Sequence, residues 1–465
     1  MSDLATRPAP TGLGAAPGER LLTGWGRTAG TRAEVRPVHV TGDAVAALDR
    51  AGERGLLARG LGRSYGDAAQ NAGGTVLDMT TLARVHSIDA DAGVVVVDAG
   101  LSLDALMRIV LPLGWFVAVT PGTRYVTVGG AIAGDIHGKN HHVEGSFCQH
   151  VVSLDLLTAD GDIRTVSATE DPDVFWATAG GMGLTGVVLR ATLRLLPVQT
   201  SRMLVDTERV ADLDACMATM VARDHEYRYS VAWIDLLARG ASMGRSIVMR
   251  GDHATVDDLP AGKRAAPLAY HPNPRLTAPS WVPSGLLNTA TVRAFNEVWF
   301  RKAPREHRGV ESIPTFFHPL DGMLDWNGIY GAPGFVQYQY VVPDGAEASV
   351  RESVQRLSAA RVPTFLAVLK RFGPGDPGPL SFPTKGWTLA LDIPAALPGL
   401  AALCDGLDEL VVGVGGRVYL SKDSRLRPDV LAAMYPRLPE WRAVRERLDP
   451  RHVFTSDLGR RLGLV

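Results

Sequence analysis

The chain has 465 residues, 46% of them hydrophobic and 21% charged, a balance that excludes wholesale disorder and a polytopic membrane protein and predicts two or three folded domains. With 48 Lys and Arg against 49 Asp and Glu the formal net charge is −1, and no run of basic residues interleaved with aromatics is present to follow a phosphate backbone, so nucleic acid is not an expected partner. The 3 cysteines, Cys148, Cys216 and Cys404, have no CxxC spacing, which argues against a disulfide framework or a zinc ribbon and leaves free buried thiols.

In chain order, roughly the first 20 residues are rich in Pro, Gly and Ala, lack the apolar core of a signal peptide, and are expected to be disordered and not to direct conventional secretion. An α+β unit follows, with strands in "VRPVHV", "LLARG", "GTVLDM" and "GVVVVDAG" and a helix in "DAVAALDRAGERG". Ser102 is placed to cap a helix with Leu103, Leu106, Met107 and Val110 on one face, and Pro112 with Gly114 ends it before the strand "WFVAVT". Thr127 caps a further helix through Gly129 and Gly130, and residues 150–167 alternate in two runs joined by Ala-Asp-Gly, a hairpin signal. A short helix near "DPDVFWATA" and the β-branched run "GVVLRATLRLLPV" bring a first domain to its end near residue 200.

Residues 201–416 read as a second α+β domain, with helices in "VADLDACMATMVAR" and "ASVRESVQRLSAA" and strands in "FVQYQYVVP" and "TLALDIP". Inside it, 251–297 is rich in Pro and Gly and too long for an ordinary connection, so a mobile lid or disordered insertion is expected, whose Trp281, Leu286 and Leu287 pack on the protein or meet lipid. The tail carries "GGRVYLSKDSR" and helices around "LAAMYP" and "WRAVRERLDP". Arginines interrupt the most apolar runs well short of the roughly 20 residues that a spanning helix needs, so any membrane contact is expected to be peripheral.

Four stretches carry candidate chemistry. In "ARGLGRSYGD" (58–67), Gly60, Gly62 and Gly66 follow a strand and allow backbone N–H groups to converge on an anion such as a pyrophosphate; an ordinary turn reads equally well, and the spacing is not that of a Rossmann loop. Gly181, Gly183 and Gly186 do match G-x-G-x-x-G, but a strand pattern follows them. In "TPGTRYVTVGGAIAGDIHGKNHH" (120–142), Gly129, Gly130, Ala131, Ala133 and Gly134 leave a surface almost without side chains, against which a flat aromatic ligand or a sheet can lie. His137 and His141 lie four apart with no Glu between them, so no metal is expected. Alternation in "FVQYQYVVP" puts Gln337 and Gln339 on one face of a strand, as hydrogen-bond arms for a sugar or as an exposed polar face.

Together with "ATAGGMGLTGVV" and the C-terminal "YLSKDSR", "MYPRLPEW" and "DPRHVFTSDLGRRL", these motifs, in this order across 20–465, resemble the vanillyl-alcohol-oxidase-type (PCMH-type) flavoproteins. Within them they are most similar to the family of decaprenylphosphoryl-β-D-ribose 2′-oxidases of actinobacterial cell-wall synthesis. The resemblance implies a two-domain α+β fold: a PCMH-type FAD-binding domain over 1–200, a substrate domain of antiparallel sheet flanked by helices over 201–416, and a segment 417–465 that completes the FAD domain and the active site. It implies noncovalent FAD, with the pyrophosphate held around Ala58, Arg59, Gly60, Leu61, Gly62, Arg63, Ser64, Tyr65, Gly66, Asp67 and Ala68. The flavin is then lined by Gly122, Thr127, Val128, Gly129, Gly130, Gly134, Asp135, Ile136 and His137, the adenine side by Val188, and Tyr419 packs nearby.

By the same resemblance Lys422, His137 and Gln339 are the catalytic candidates, Lys422 either taking the hydroxyl proton or stabilising negative charge on the reduced flavin. Lys139, Trp233, Gln337, Gln339, Lys370, Thr388 and Ala390 form the substrate pocket, with Lys139 and Lys370 at the substrate phosphate. Ala390 stands where familiar members carry a cysteine, and Thr388 replaces a polar amide. The implied reaction is FAD-dependent oxidation of the 2′-hydroxyl of decaprenylphosphoryl-β-D-ribose to the 2′-keto form, the first step towards decaprenylphosphoryl-arabinose for arabinan, which an NADH-dependent keto-reductase partner completes. Family members imply the periplasmic face of the membrane, whereas the sequence itself leaves the cytoplasm as the alternative. A soluble alditol or aldonolactone oxidase of the same superfamily is the enzymatic alternative, and a catalytically dead flavin-fold scaffold the non-enzymatic one.

Overall fold

Short apolar runs between glycine turns build a four-stranded sheet, in the order Gly18–Thr23, Gly30–Pro37, Thr75–Asp78 and Leu56–Arg59, in a computed structural model that describes residues 13, 16–272, 276–279, 283 and 285–465. The first two strands pair antiparallel, and Thr75–Asp78 runs parallel to both of its neighbours. Phe454 adds a parallel bridge to Leu56 and packs with Ala44, Ala47 and Leu48 of the helix Thr41–Leu48, so the C-terminal tail closes this first layer. Most of the lead-in expected to be disordered, and Trp281, lie outside the described residues.

The second sheet is ordered Val85–Asp89, Val94–Asp98, Val187–Pro197, Val151–Leu157, Ile163–Val166, and Trp115–Val117 joins the far end of the long central strand. Its hairpin turns at Ala159-Asp160-Gly161, where Gly161 takes the left-handed φ of 91° that the sequence reserves for it. The Ser102 hydroxyl accepts from Ala105 N–H at 3.1 Å, and the Leu103–Val110 helix that it caps buries the four apolar residues on its inner face. In these first two sheets two strands escape the sequence reading, Gly18–Thr23 ("GERLLT") and Val85–Asp89 ("VHSID"), because polar residues on their outer faces dilute the apolar signal. The strand expected in "VRPVHV" begins earlier, at Gly30, where Ala33 and Val35 supply the alternation.

An eight-stranded, wholly antiparallel sheet follows, in the order Glu306–Ser312, Arg202–Val210, Ser246–His253, Tyr229–Ile234, Ala367–Phe372, Gly386–Pro394, Phe335–Pro343 and Arg417–Val418. The helices Leu213–Arg223, Glu347–Ala359 and Leu400–Gly413 cover one face. Strand alternation therefore sends Val231, Trp233, Met249, Val368, Lys370 and Ala390 to the other face, where they wall a cavity. This geometry sets the active site between the large sheet and the glycine-rich segments.

Both ends of the segment 251–297 belong to regular elements. Residues 251–253 finish a strand, and 289–297 belong to the helix Thr289–Lys302, whose Asn288 cap accepts from Ala290 and Thr291 N–H at 2.9 and 3.1 Å. The Pro and Gly bias is confined to the stretch between, and the Asn288 cap with its reciprocal Thr291 marks where it ends. Leu287 packs near Trp326 and Phe335, while Leu286 is exposed.

The tail is clamped back by Trp441, fully buried, whose indole N–H donates to the Ala177 carbonyl at 2.9 Å, and by Arg461, which grips Asp67 at 2.7 and 2.9 Å and Asp423 at 2.9 Å. Trp441→Ala should cost about 3–5 kcal/mol through the cavity that it leaves, read as a lowered urea midpoint with an unchanged slope; an unaltered midpoint would show that the tail does not hold the fold.

Candidate active site

Glycines in 58–68 are there because side chains have no room. A Cβ on Gly60 would lie 2.2 Å from Thr127 Oγ1, one on Gly66 2.0 Å from the Asp423 carbonyl, and Gly62 has a left-handed φ of 64°. The loop is held from outside: Trp25 and Gly26 N–H donate to the Ser64 and Tyr65 carbonyls at 2.8 and 2.9 Å, and Tyr65 N–H to the Ser421 carbonyl at 3.0 Å. Opposite it, Thr127 Oγ1 accepts from Gly130 N–H at 3.2 Å and starts the Val128–Ala133 helix, whose small residues form a flat wall.

Between these segments and the large sheet lies a cavity of about 870 Å³, within the size range of cofactor and substrate pockets. Ala58, Arg59, Gly60, Leu61, Gly62, Arg63, Ser64, Tyr65 and Ala68 line it, as do Gly122, Thr127, Gly129, Gly130, Gly134, Ile136, His137, Val188 and Tyr419. The substrate candidates Lys139, Trp233, Gln337, Lys370 and Ala390 and the catalytic candidate Lys422 complete the same lining.

Six candidates do not reach the cavity. Gly66 is blocked by Asp423, and the Asp67 carboxylate is taken by Arg461. Val128 is fully buried in the core, and Asp135 faces away, accepting from Cys148 N–H at 3.0 Å and the Ser381 hydroxyl at 2.6 Å. Gln339 and Thr388 are fully buried and bonded to each other at 2.9 Å, Gln339 Nε2 also lying 2.9 Å from His137 Nε2. Both glutamines do share a strand face, but Gln339 lies behind His137, bonded to it and outside the lining. The Arg59 guanidinium likewise braces the loop, donating to the Ala69 and Thr23 carbonyls at 2.6 and 2.8 Å.

His137 sits among Phe372, Phe382 and Tyr419, at 4.9, 5.4 and 5.0 Å between ring centres. Burial, with Lys370, Lys422 and His141 adding to it, holds its pKa well below the usual histidine value, so it is neutral. With Gln339 Nε2 donating, His137 Nε2 is the acceptor and the proton lies on Nδ1, which has no partner among the described residues. Tyr419 fixes the other side of this wall by donating to the Gly134 carbonyl at 2.7 Å.

Electrostatically the cavity is one-sided. Among the described residues its lining contains Arg59, Arg63, Lys139, Lys370 and Lys422, and no Asp or Glu. Burial, reinforced by Lys370, pushes Lys422 down to about 7 against a small opposing pull from Asp392. Lys139 falls to about 7 and Lys370 to about 8 for the same first reason. Lys139 donates to the Phe316 carbonyl and sits 4.3 Å from the Phe316 ring centre, while Lys422 Nζ lies 5.6 Å from the ring centre of Tyr65.

Asp392 is the residue that the sequence reading missed. It is fully buried, accepts from Gln337 Nε2 at 2.5 Å and from the Tyr330 hydroxyl at 3.2 Å, and burial raises its pKa to about 7. Its signal was the alternation of "TLALDIP", which places it on the same strand face as Ala390 and opposite Gln337. The lining aromatics Trp25, Trp326 and Phe365 come from three distant segments and carry no local signal.

These features fit a flavin dinucleotide. The side-chain-free walls give its ring and phosphates room, and basic groups meet an anion without a competing carboxylate. An FAD binding domain model matches residues 33–167. The chain is 46% identical to decaprenylphosphoryl-beta-D-ribose oxidase of Mycolicibacterium smegmatis over 449 residues, 96% of this chain and 97% of that protein. It is 45% identical to an uncharacterized protein of Streptomyces coelicolor over 374 residues, 78% of this chain and 100% of that one, and 26% identical to L-gulono-1,4-lactone dehydrogenase of Mycobacterium tuberculosis over 437 residues, 90% and 92%. An identity of 46% along nearly the whole of both chains, joined to this cavity, settles what the enzyme is: an FAD-dependent oxidoreductase that belongs to the decaprenylphosphoryl-β-D-ribose oxidase family.

Proposed function

We propose that this enzyme oxidises the 2′-hydroxyl of decaprenylphosphoryl-β-D-ribose to the ketone, as the first half of its epimerisation to the arabinose form used for arabinan in the cell wall. The observation that carries this reading is the cavity itself, whose lining among the described residues has lysines, no carboxylate, and the exposed Leu276, Phe295 and Trp299, a match to an anionic sugar on an apolar chain. FAD, when bound, supplies the acceptor for the two electrons that leave C2′.

Lys422, held near neutrality by its burial, takes the proton of the 2′-hydroxyl on Nζ. Lys139 and Lys370 bind the phosphate; the Phe316 carbonyl positions the first, and contact with the anion favours the protonated form of both. Gln337, oriented by Asp392, lies in the lining beside the ribose, and Trp233, tied to the Phe365 carbonyl at 2.9 Å, closes the cavity to water. Gln339 with Thr388 orients His137, whose ring, enclosed on three sides, favours noncovalent FAD.

An NADH-dependent keto-reductase would consume the product, and the lipid chain implies peripheral contact with a membrane, at its periplasmic face in the family's manner. Among the described residues no helix is long and apolar enough to cross one.

Anaerobic mixing of the yellow protein with a prenylphosphoryl-ribose analogue should bleach the flavin band at about 450 nm, whereas ribitol and xylitol should not. Lys422→Met should slow that bleaching about 10²–10⁴-fold with the flavin still bound. Bleaching by the free polyols alone would make the enzyme an alditol oxidase, and bleaching with neither would leave a catalytically dead scaffold.

Ala390 lines the pocket, and all three cysteines are buried and absent from its lining. A thiol-seeking nitroaromatic inhibitor should therefore leave the native mass unchanged, and Ala390→Cys should create an adduct; an adduct on the unaltered protein would contradict this placement.

A further inference from the structure

Asp392 is a carboxyl group at a place where an amide would suffice to orient Gln337. It is fully buried, and among the described residues its oxygens take uncharged donors only, Gln337 Nε2 at 2.5 Å and the Tyr330 hydroxyl at 3.2 Å. Its own N–H is spent on the Leu366 carbonyl at 3.1 Å. What a carboxyl adds to these bonds is a proton and, once that proton leaves, a charge. A buried charge is costly unless an opposite one answers it.

The cation that answers is Lys422. Around the two groups, the turn Trp326–Tyr330 contributes Tyr330, the strand Phe335–Pro343 Gln337, the glycine loop Tyr65, and the strand Ala367–Phe372 Lys370. Tyr65 stays a neutral phenol, because burial, with Asp392 adding to it, raises its pKa, and His137, which also faces Lys422, is neutral. The Tyr65 ring joins the two sides: Lys422 Nζ lies 5.6 Å from its centre, and it stands edge-on at 5.6 Å to Phe335, which stacks on Tyr330 at 4.2 Å. Asp423, next to Lys422 in sequence, is already committed to Arg461 at 2.9 Å and to the N–H groups of Arg425 and Leu426 at 2.9 and 2.8 Å. Burial and Lys370 disfavour the ammonium form of Lys422, and Asp392 favours it. Burial in turn raises Asp392 to about 7, against the Gln337 bond and the pull of Lys422.

We propose that Asp392, behind the cavity wall, is a positioning residue that supplies the counter-charge for the ammonium which Lys422 becomes on taking the hydroxyl proton. The inference deepens the reading above, in which Lys422 is the base, and rests on it. In that step the O–H bond of the 2′-hydroxyl breaks and an N–H bond forms on Nζ, while two electrons leave C2′ with its hydrogen for FAD. A positive charge then appears in a cavity whose lining, among the described residues, has basic groups and no carboxylate. Ionised Asp392 offsets that charge through the wall and makes Lys422 a stronger base, without placing an anion where the substrate phosphate binds.

The test uses the FAD-loaded full chain. Asp392→Asn keeps an oxygen for the Gln337 amide and removes the charge. Its rate of bleaching by the prenylphosphoryl-ribose analogue, followed against pH, should show the Lys422 midpoint lowered by about half a pH unit, a roughly threefold loss of proton affinity, with the flavin still bound. By reciprocity, Lys422→Met should raise the proton affinity of Asp392 by the same factor. In infrared difference spectra the carbonyl stretch of the protonated acid should then persist to higher pH in Lys422→Met than in the native protein, a readout that needs neither turnover nor a substitution at Asp392.

An unchanged midpoint in Asp392→Asn, with only KM raised, would reduce Asp392 to orienting Gln337 and overturn the proposal. So would an acid band with the same pH dependence in the native and Lys422→Met proteins. A native rate that falls as pH rises would instead sink the assignment of Lys422 as the base, while the midpoint shift and the infrared comparison would still decide whether the two groups are paired.

Discussion

Five basic side chains share one cavity that no carboxylate lines among the described residues, and the site follows from that constraint. An ammonium group removed from water without a counter-charge loses its proton more easily, at about 1.4 kcal/mol for each unit of pKa, which is why burial brings Lys422 and Lys139 to about 7. The fold bears this cost because two large elements leave it no alternative. The eight-stranded sheet delivers Lys370 and Ala390 on one face by simple alternation, and the tail delivers Lys422 beside the glycine loop. Burial, to which the neighbouring lysines add, likewise keeps His137 neutral.

The tail links the two halves of the site chemically. Arg461 binds Asp67 of the glycine loop and Asp423 next to Lys422, so the loop and the lysine share one anchor. Tyr419 reaches the Gly134 carbonyl and stacks on Phe382, tying the flat wall to the same segment. Opposite Ala390, Gln339 is covered by His137, while Gln337, one pleat along the strand, reaches the cavity and is fixed by Asp392.

What the sequence disclosed follows from the range of each interaction. Ser102 and Thr127 announce their helices because a cap is a bond across three residues, and Gly161 announces its turn because only a backbone φ is involved. The alternation of "FVQYQYVVP" gave the correct strand and face, yet the depth of Gln339 depends on His137, about 200 positions away, and no local pattern encodes that. Asp67 and Asp135 lie inside the motifs that the resemblance assigns to the cofactor, while their side chains serve Arg461 and Ser381. The helix Thr289–Lys302 was hidden within a Pro- and Gly-rich stretch that drew attention to its loops.

The central claim is that burial poises Lys422 to accept a proton. Its most direct test is the anaerobic flavin bleaching rate, at saturating prenylphosphoryl-ribose analogue, as a function of pH. On the proposal that the neutral amine is the active form, the rate should rise as pH passes through about 7 and then level off. A rate that falls across that same range would show that the ammonium cation is the working form, and would contradict the account.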